Sequence, residues 1–227
     1  MANRKRPGRA SGHFAGDDES ERVWQSVQTF VEDFPEGVVV IGGVAVFLHT
    51  LASGRKDLGS EFTHDADFMV DRATLGSLRD LYQVTPNRRL HKYQVEVHDV
   101  EFDLYLESQH HLRVDYPEVA MAAVDIAGLH VAHKQHLIVL KLAAYQDRRA
   151  SSHGRKDARD LTKLMVLSST DPLIASGPLD GEDSDLLTLA LDEGVPGIAR
   201  GNAHLASRLR KEAQGFLGRV KRRLRRS

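Results

Sequence analysis

The sequence predicts a mixed α and β fold (α+β, with α/β elements) followed by a helical C-terminal part. Short apolar or alternating runs typical of strands are interspersed with helical periodicities up to residue 167, and only helical periodicity follows. A stretch rich in Ser, Asp, Pro and Gly separates the two parts. The 227 residues, 41% of them hydrophobic, are enough for one full domain with a smaller appendage.

These patterns divide the chain into four segments. Residues 1–16 are basic, rich in glycine and aperiodic, which predicts a disordered arm. Residues 17–167 form the predicted core, residues 168–184 the linker, and residues 185–227 a helical region that ends in a basic tail.

Each element follows from a local pattern. Apolar positions three or four residues apart predict helices, whereas short apolar or alternating runs between turn residues predict strands. The predicted helices cover residues 19–34, 44–51, 73–82 (capped by Asp71), 117–124, 137–149, 155–167, 185–192 and 203–224. The predicted strands cover residues 38–41, 65–70, 93–98, 100–106 and 129–131.

Composition and charge narrow the possible functions. No apolar run approaches the ~20 residues that span a bilayer, so we expect a cytoplasmic protein without a membrane partner. The absence of cysteine excludes disulfides and thiolate zinc sites. Although the formal net charge is −1, basic residues concentrate at both ends. The C-terminal cluster consists of Arg219, Lys221, Arg222, Arg223, Arg225 and Arg226. It is either a face that binds RNA or another anionic partner, or a solvated tail.

The segment most informative about function is an apolar run that ends in Gly42–Gly43, followed after a spacer by Asp65 and Asp67. Two glycines between a strand and a helix allow a phosphate to approach the helix N-terminal amides. Asp65 and Asp67 are two residues apart on a predicted strand, so both carboxylates lie on one face. Because adjacent carboxylates repel each other unless a cation joins them, the pattern predicts Mg²⁺ (or Mn²⁺) held together with substrate phosphates.

Asp103, on the polar face of the alternating strand at residues 100–106, supplies a candidate third carboxylate. Three carboxylates suffice for two cations, one on a triphosphate and one that activates an attacking hydroxyl. Each feature alone also fits an ordinary turn or a solvated strand edge. Their order on successive elements favours the catalytic interpretation.

Two sets of residues resemble a known family. Residues 41–43 and 63–68 resemble the signature of the nucleotidyltransferase superfamily, in which Gly-Gly precedes Asp-x-Asp. The segments Leu137–Arg148 and Arg155–Leu161 are similar to the Leu-Lys, Arg and Lys-Asp-x-x-Asp-Leu pattern of the AbiEii/MenT-like toxin nucleotidyltransferases. The resemblance covers residues 38–167. It implies a polymerase-β-like nucleotidyltransferase core, Mg²⁺, a nucleoside triphosphate (NTP) as substrate, and the toxin role in a type IV toxin–antitoxin pair.

Within that resemblance, Lys141 and Arg148 are nucleotide-binding residues. They are seven residues apart on one helix face, from which they would neutralise the triphosphate. Asp160 would orient Lys141 or contact the nucleotide. The alternative is a solvated helix face on which Lys156 and Asp160 form an i,i+4 pair.

Three functions remain open from the sequence. The favoured one is a toxin that modifies RNA, above all tRNA, and that has a cognate antitoxin as its possible partner. The second is a small-molecule nucleotidyltransferase of the aminoglycoside-modifying kind, and the third a catalytically idle binding or antitoxin module. We interpret His130, His133 and His136 as part of a strand–helix junction rather than as a zinc site.

Overall fold

The computed structural model describes residues 18–59, 63, 65–107, 112–173 and 179–226. The predicted disordered arm at residues 1–16 lies outside these ranges. The α-helices are α1 (Asp18–Asp33), α2 (Gly42–Ala52), α3 (Arg72–Leu81), α4 (Tyr116–Met121), α5 (Lys134–Arg148), α6 (Ser152–Leu167), α7 (Gly181–Ala199) and α8 (Ala203–Leu224). The strands are β1 (Val38–Ile41), β2 (Ala66–Val70), β3 (Thr85–Asn87), β4 (Lys92–Val97), β5 (Val100–Leu106), β6 (Val124–Ile126) and β7 (Leu129–Val131).

The seven strands form one mixed sheet in the order β3-β4-β5-β2-β1-β7-β6. The inner strand β1 runs antiparallel to β2 and parallel to β7, and β2 runs parallel to β5. All four residues of β1 are buried, as expected for a strand covered on both faces. The predicted mixed fold is therefore confirmed.

Helix α1 covers one face of the sheet through aromatic contacts. The ring of Phe30 lies 4.8 Å from that of Phe68 on β2 and 5.3 Å from that of Phe102 on β5. Because side chains alternate along a strand, the neighbouring residues Asp67 and Asp103 point to the opposite face. Helices α2, α5 and α6 pack together on that opposite face.

Two short strands are absent from the sequence-based prediction. Strand β6 forms a hairpin with β7 around Ala127 and Gly128, whose φ angles of 55° and 78° match the two-residue turn of a tight hairpin. The predicted helix at residues 117–124 therefore ends at Met121. Strand β3 is a three-residue edge strand that pairs with β4, too short to show an alternating pattern.

The C-terminal helices share one hydrophobic core with the sheet. Helix α7 begins at Gly181, inside the predicted linker, because Asp180 and Asp183 form a capping box. It also continues beyond the predicted end at residue 192. Gly194 permits a close approach to α6, where a Cβ atom at this position would lie 2.3 Å from the carbonyl oxygen of Ala158. No helix in the described part of the chain is long and apolar enough to cross a membrane.

Candidate active site

Three carboxylates lie at one end of the paired strands β2 and β5. Asp67 and Asp103 are partners in the parallel register, so their side chains emerge side by side from the same face. Asp103 is buried and Asp67 is half-buried. Asp65 is exposed just before β2, and its Oδ1 accepts a hydrogen bond from the hydroxyl of Thr63.

The two glycines lie against this group. Gly42 has φ +65°, and a Cβ atom there would lie 1.9 Å from Asp67 Oδ2, so both conformation and space require glycine. A Cβ atom on Gly43 would lie 3.1 Å from the Cβ of Thr63. Helix α2 starts at Gly42, and Ile41 at the N-cap has no polar side chain to cap it. The first turn of α2 therefore brings backbone amides beside the carboxylates, an arrangement that suits an anion.

Within this group of carboxylates, the charged form of Asp67 is disfavoured. Burial raises its pKa to about 6, with further contributions from the charges of Asp65 and Asp103 that outweigh the opposing effects of Lys141 and Lys92. Burial would also raise the pKa of Asp65, but its hydrogen bond from Thr63 and the charge of Lys156 prevail and lower it. A cation beside Asp67 would relieve the repulsion.

The chemistry of these donors suits a divalent cation. Carboxylate oxygens are the ligands that Mg²⁺ prefers. Asp103 Oδ1 is buried and accepts no hydrogen bond from any described residue, a situation that costs roughly 1–3 kcal/mol when the group stays unsatisfied. Asp103 Oδ2 accepts a hydrogen bond from the ammonium of Lys92.

The three carboxylates are close enough that, in addition to burial, the charges of Asp65 and Asp103 raise the pKa of Asp67. Across the described ranges, no three His, Asp or Glu side chains are grouped as a metal would require. That Asp65, Asp67 and Asp103 together hold a metal ion stays a prediction. The bonds of Thr63 to Asp65 and of Lys92 to Asp103 hold two of the carboxylates in other interactions.

Lys141 lies beneath the carboxylates, in an ion-pair network between α5 and α6. Its buried Nζ is 3.2 Å from Asp157 Oδ1 and 3.0 Å from Asp160 Oδ2. Burial would lower the pKa of Lys141, but the carboxylates of Asp160, Asp157 and Asp67 outweigh it and raise the pKa. Lys141 therefore stays charged, and it is bound by two acids rather than extended toward solvent.

Arg148 shares one of these acids and is more accessible. Its Nε is 2.7 Å from Asp157 Oδ2, and 48% of its side chain is exposed. The hydrogen bond from Arg148 to Asp157 is the main cause of the raised pKa of Arg148, to which Asp67 also contributes. Arg148 is thus close enough to Asp67 for their charges to interact, and part of its side chain is open to solvent.

Sequence reasoning missed the residue that organises this network, Asp157. It is fully buried and pairs with both Lys141 and Arg148. The Lys-Asp-x-x-Asp spacing indicates that Asp157 acts together with Asp160, because the two are three residues apart and share a helix face. The alternative of a solvated Lys156–Asp160 pair does not match the structure. Asp160 is buried against Lys141, and Lys156 donates to the Thr63 hydroxyl at 3.1 Å.

Two further residues of the sheet, Lys92 and Tyr105, lie beside Asp103. Lys92 on β4 was missed because its contact with Asp103 depends on how β4 pairs with β5, which no local pattern reveals. Tyr105 follows Asp103 by two residues and therefore lies on the same face. Burial, together with the charges of Asp67 and Asp103, raises the pKa of Tyr105, so its hydroxyl remains a donor at neutral pH.

The basic cluster at the end of α8 divides into two parts. One side of α8 is buried, through Leu209, Ala213, Phe216, Leu217 and Val220. Arg219 lies against the end of α6, where its guanidinium donates to the carbonyl oxygens of Ser168 and Ser169. Arg219 is therefore placed as a helix-end contact rather than in an outward basic face. The exposed members of the cluster are Lys221, Arg222, Arg223, Arg225 and Arg226.

Ion pairs connect α8 to the loop that leads toward Asp65. Arg55 is 2.9 Å from Glu212 on α8 and 2.8 Å from Asp57. Arg208 on α8 is 2.9 Å from the same Asp57 carboxylate. The segment that holds Arg55 and Asp57 is thus attached to the C-terminal helix.

Comparison with known proteins adds evidence about the fold. No protein-family model matches the sequence, and no curated protein matches it. Among solved structures, the chain is similar to the Megavirus polyadenylate synthase, with a TM-score of 0.50 and 14% identity over 81% of this chain and 37% of that chain. It also matches an antigenic nucleotidyltransferase-like protein from Paracoccidioides brasiliensis, with a TM-score of 0.47 and 17% identity over 86% of this chain and 93% of that chain. At this identity the Megavirus similarity shows the fold alone: the chain shares the fold of part of the polyadenylate synthase.

Proposed function

We propose that this chain is a nucleotidyltransferase that moves a nucleotide from an NTP to a hydroxyl group of RNA, with tRNA as the favoured acceptor and Mg²⁺ (or Mn²⁺) as the cofactor. One observation carries the proposal. Asp67 and Asp103 are paired in register beside the first turn of α2, so that carboxylates and the backbone amides of a helix N-terminus lie next to each other.

The residues of the site have distinct tasks in such a reaction. Asp65, Asp67 and Asp103 would hold the divalent cation, which supplies charge neutralisation for the triphosphate. The first-turn amides at Gly42 and Gly43 would bind a phosphate oxygen. The exposed part of the Arg148 guanidinium would add positive charge.

Nucleotidyl transfer requires few further groups from the protein. The acceptor hydroxyl releases its proton to solvent as its oxygen bonds to the α-phosphorus, and the bond to the pyrophosphate oxygen breaks so that pyrophosphate leaves. Catalysis comes mainly from positioning and electrostatic stabilisation. Asp157 and Asp160 hold Lys141, which stays charged beneath the carboxylates. Asp157 also orients Arg148.

The charge of α8 supports a polyanionic acceptor over a small cationic one. Five exposed basic residues lie in the last turn of this helix and directly after it, whereas an aminoglycoside would favour acidic surroundings. One protein of similar fold is a polyadenylate synthase, which is compatible with a polynucleotide acceptor. The resemblance of the Leu137–Arg148 and Arg155–Leu161 segments to AbiEii/MenT-like toxins supports a toxin of a type IV pair, with an antitoxin as partner.

The decisive experiment incubates the purified chain with each α-labelled NTP, Mg²⁺ and total RNA. We expect label on RNA from one preferred NTP, and none with the Asp67→Ala variant. Label on an aminoglycoside but not on RNA would favour the small-molecule alternative. No transfer to either acceptor would favour an idle binding module.

A further inference from the structure

The internal counter-ion of Asp103 comes from the neighbouring strand. Lys92 is the first residue of β4, which pairs antiparallel with β5 so that Gln94 lies opposite Asp103. Lys92 precedes Gln94 by two residues and therefore lies on the same face of the sheet. From there its ammonium donates a hydrogen bond to Asp103 Oδ2, and only 11% of the Lys92 side chain and 12% of the Asp103 side chain are exposed.

The other cations of the site are bonded to different groups. Lys141 pairs with Asp157 and Asp160, and Lys156 donates to the hydroxyl of Thr63. Lys92 by contrast bonds directly to one of the three carboxylates that the proposed function assigns to the divalent cation.

We propose that Lys92 is a positioning residue that acts as a built-in substitute for a second divalent cation at Asp103. It offsets one of the two negative charges of the Asp67 and Asp103 pair in the resting protein and weakens divalent binding at that pair. The assignment of these carboxylates to a cation rests on the proposed function, whereas the contact between Lys92 and Asp103 does not.

The physical reason is competition between two kinds of positive charge. Asp67 and Asp103 repel each other as register partners, and the Lys92 ammonium relieves part of that repulsion. A divalent cation that enters beside Asp103 must either replace the ammonium or bind a few ångströms from it, where like charges repel. Because Asp103 Oδ1 is buried without a donor among the described residues, the same carboxylate retains an oxygen for such a cation.

The test measures Mn²⁺ binding without any NTP, by calorimetry and by electron paramagnetic resonance of the free ion. Lys92→Met should bind Mn²⁺ at least about tenfold more tightly than the wild type, or bind one additional ion, since a unit charge beside the site is gone. Lys92→Arg keeps the charge and should stay close to wild type. Adding Asp103→Asn to Lys92→Met should remove the gain.

A matched control and a second readout keep the test independent of catalysis and of small folding defects. Lys134→Met removes a lysine that is ion-paired with Asp171 at 2.6 Å, away from the three carboxylates, and should leave Mn²⁺ affinity unchanged. In thermal unfolding, Mn²⁺ should raise the midpoint temperature of Lys92→Met more than that of the wild type or of Lys134→Met. Lys92→Gln replaces Lys92→Met in this measurement if Lys92→Met folds poorly. Equal Mn²⁺ affinity, stoichiometry and stabilisation in the Lys92 variants and wild type would overturn the proposal. If the Lys92 variants change Mn²⁺ binding as expected but the protein transfers no nucleotide, only the proposed function is contradicted.

Discussion

Asp67 and Asp103 are 36 positions apart in the chain, yet they are direct partners on the parallel strands β2 and β5. Neither strand alone creates a site. Their register brings two carboxylates side by side on the face opposite Phe30, and Gly42 leaves room for one of them.

Removing the carboxylate of Asp67 should abolish nucleotide transfer and preserve the fold. Asp67→Ala deletes one member of a mutually repulsive group, so the loss of charge does not by itself destabilise the protein. Transfer to RNA, measured with labelled NTP, should fall to background while the far-UV circular dichroism spectrum stays native. Wild-type transfer in this variant would refute the metal assignment.

The stability of the metal-free protein should depend on pH through Asp67. The folded chain retains the Asp67 proton up to about pH 6, whereas the pKa is 3.8 in the absence of the fold. The contribution of Asp67 to stability is therefore full below pH 3.8 and lost as the pH rises through 6. In EDTA, Asp67→Asn should unfold at nearly the wild-type midpoint at pH 4 and at a higher midpoint at pH 8. Asp147→Asn, at an exposed position, serves as control. If the midpoint of Asp67→Asn differs from that of the wild type by the same amount at both pH values, the raised pKa of Asp67 is contradicted.

Gly42→Ala should remove activity by a local clash. The new Cβ atom would lie 1.9 Å from Asp67 Oδ2 in a backbone conformation with φ +65°. Gly54→Ala is a matched control, because Gly54 has φ +68° and no atom within 4 Å of the added Cβ. Both variants should lose about 1–2 kcal/mol of stability from the left-handed backbone. Only Gly42→Ala should lose transfer, and similar activity in the two variants would show that the contact with Asp67 is unimportant.

Asp157→Asn should destabilise the chain strongly. The variant leaves Lys141 and Arg148 without their shared, fully buried carboxylate, and breaking a buried ion pair in this way costs about 3–5 kcal/mol. Urea unfolding measures this loss. The control is Arg149→Gln. It breaks the more exposed ion pair between Arg149, at the end of α5, and Glu193, and it should reduce the free energy of unfolding by about 0–1 kcal/mol. A loss below about 1 kcal/mol for Asp157→Asn would remove Asp157 from the centre of the network.

The exposed end of α8 should contribute to RNA binding through phosphates. Replacing Lys221, Arg222, Arg223, Arg225 and Arg226 with Gln should reduce the slope of log affinity against log salt concentration, by about 0.7 for each lost contact with single-stranded RNA. Arg219 is kept because it bonds to the carbonyl oxygens at the end of α6, so its loss would mix binding with folding. An unchanged slope would identify the cluster as a solvated tail.

The sequence by itself determined the mixed fold and the local geometry of the central motif. Val38–Ile41 and Asp67 lie on the expected strands, whereas α2 already begins at Gly42 and Asp65 lies just before β2. Asp71 caps α3 as predicted, through a hydrogen bond from the Thr74 amide to its side chain. Such patterns are readable because backbone conformation and side-chain alternation depend on residues close together in the chain.

Only the tertiary structure decided which distant side chains meet. Lys92 contacts Asp103 through the pairing of β4 with β5, Asp157 joins Lys141 to Arg148 through the packing of α6 on α5, and Arg219 reaches the end of α6 from α8. The contacts of Lys92 and Arg219 follow from no period or motif, and the Lys-Asp-x-x-Asp spacing marks Asp157 without naming its partners. These contacts arise from strand register and helix packing, which are set by burial of apolar side chains over the whole core and therefore by residues far apart in sequence.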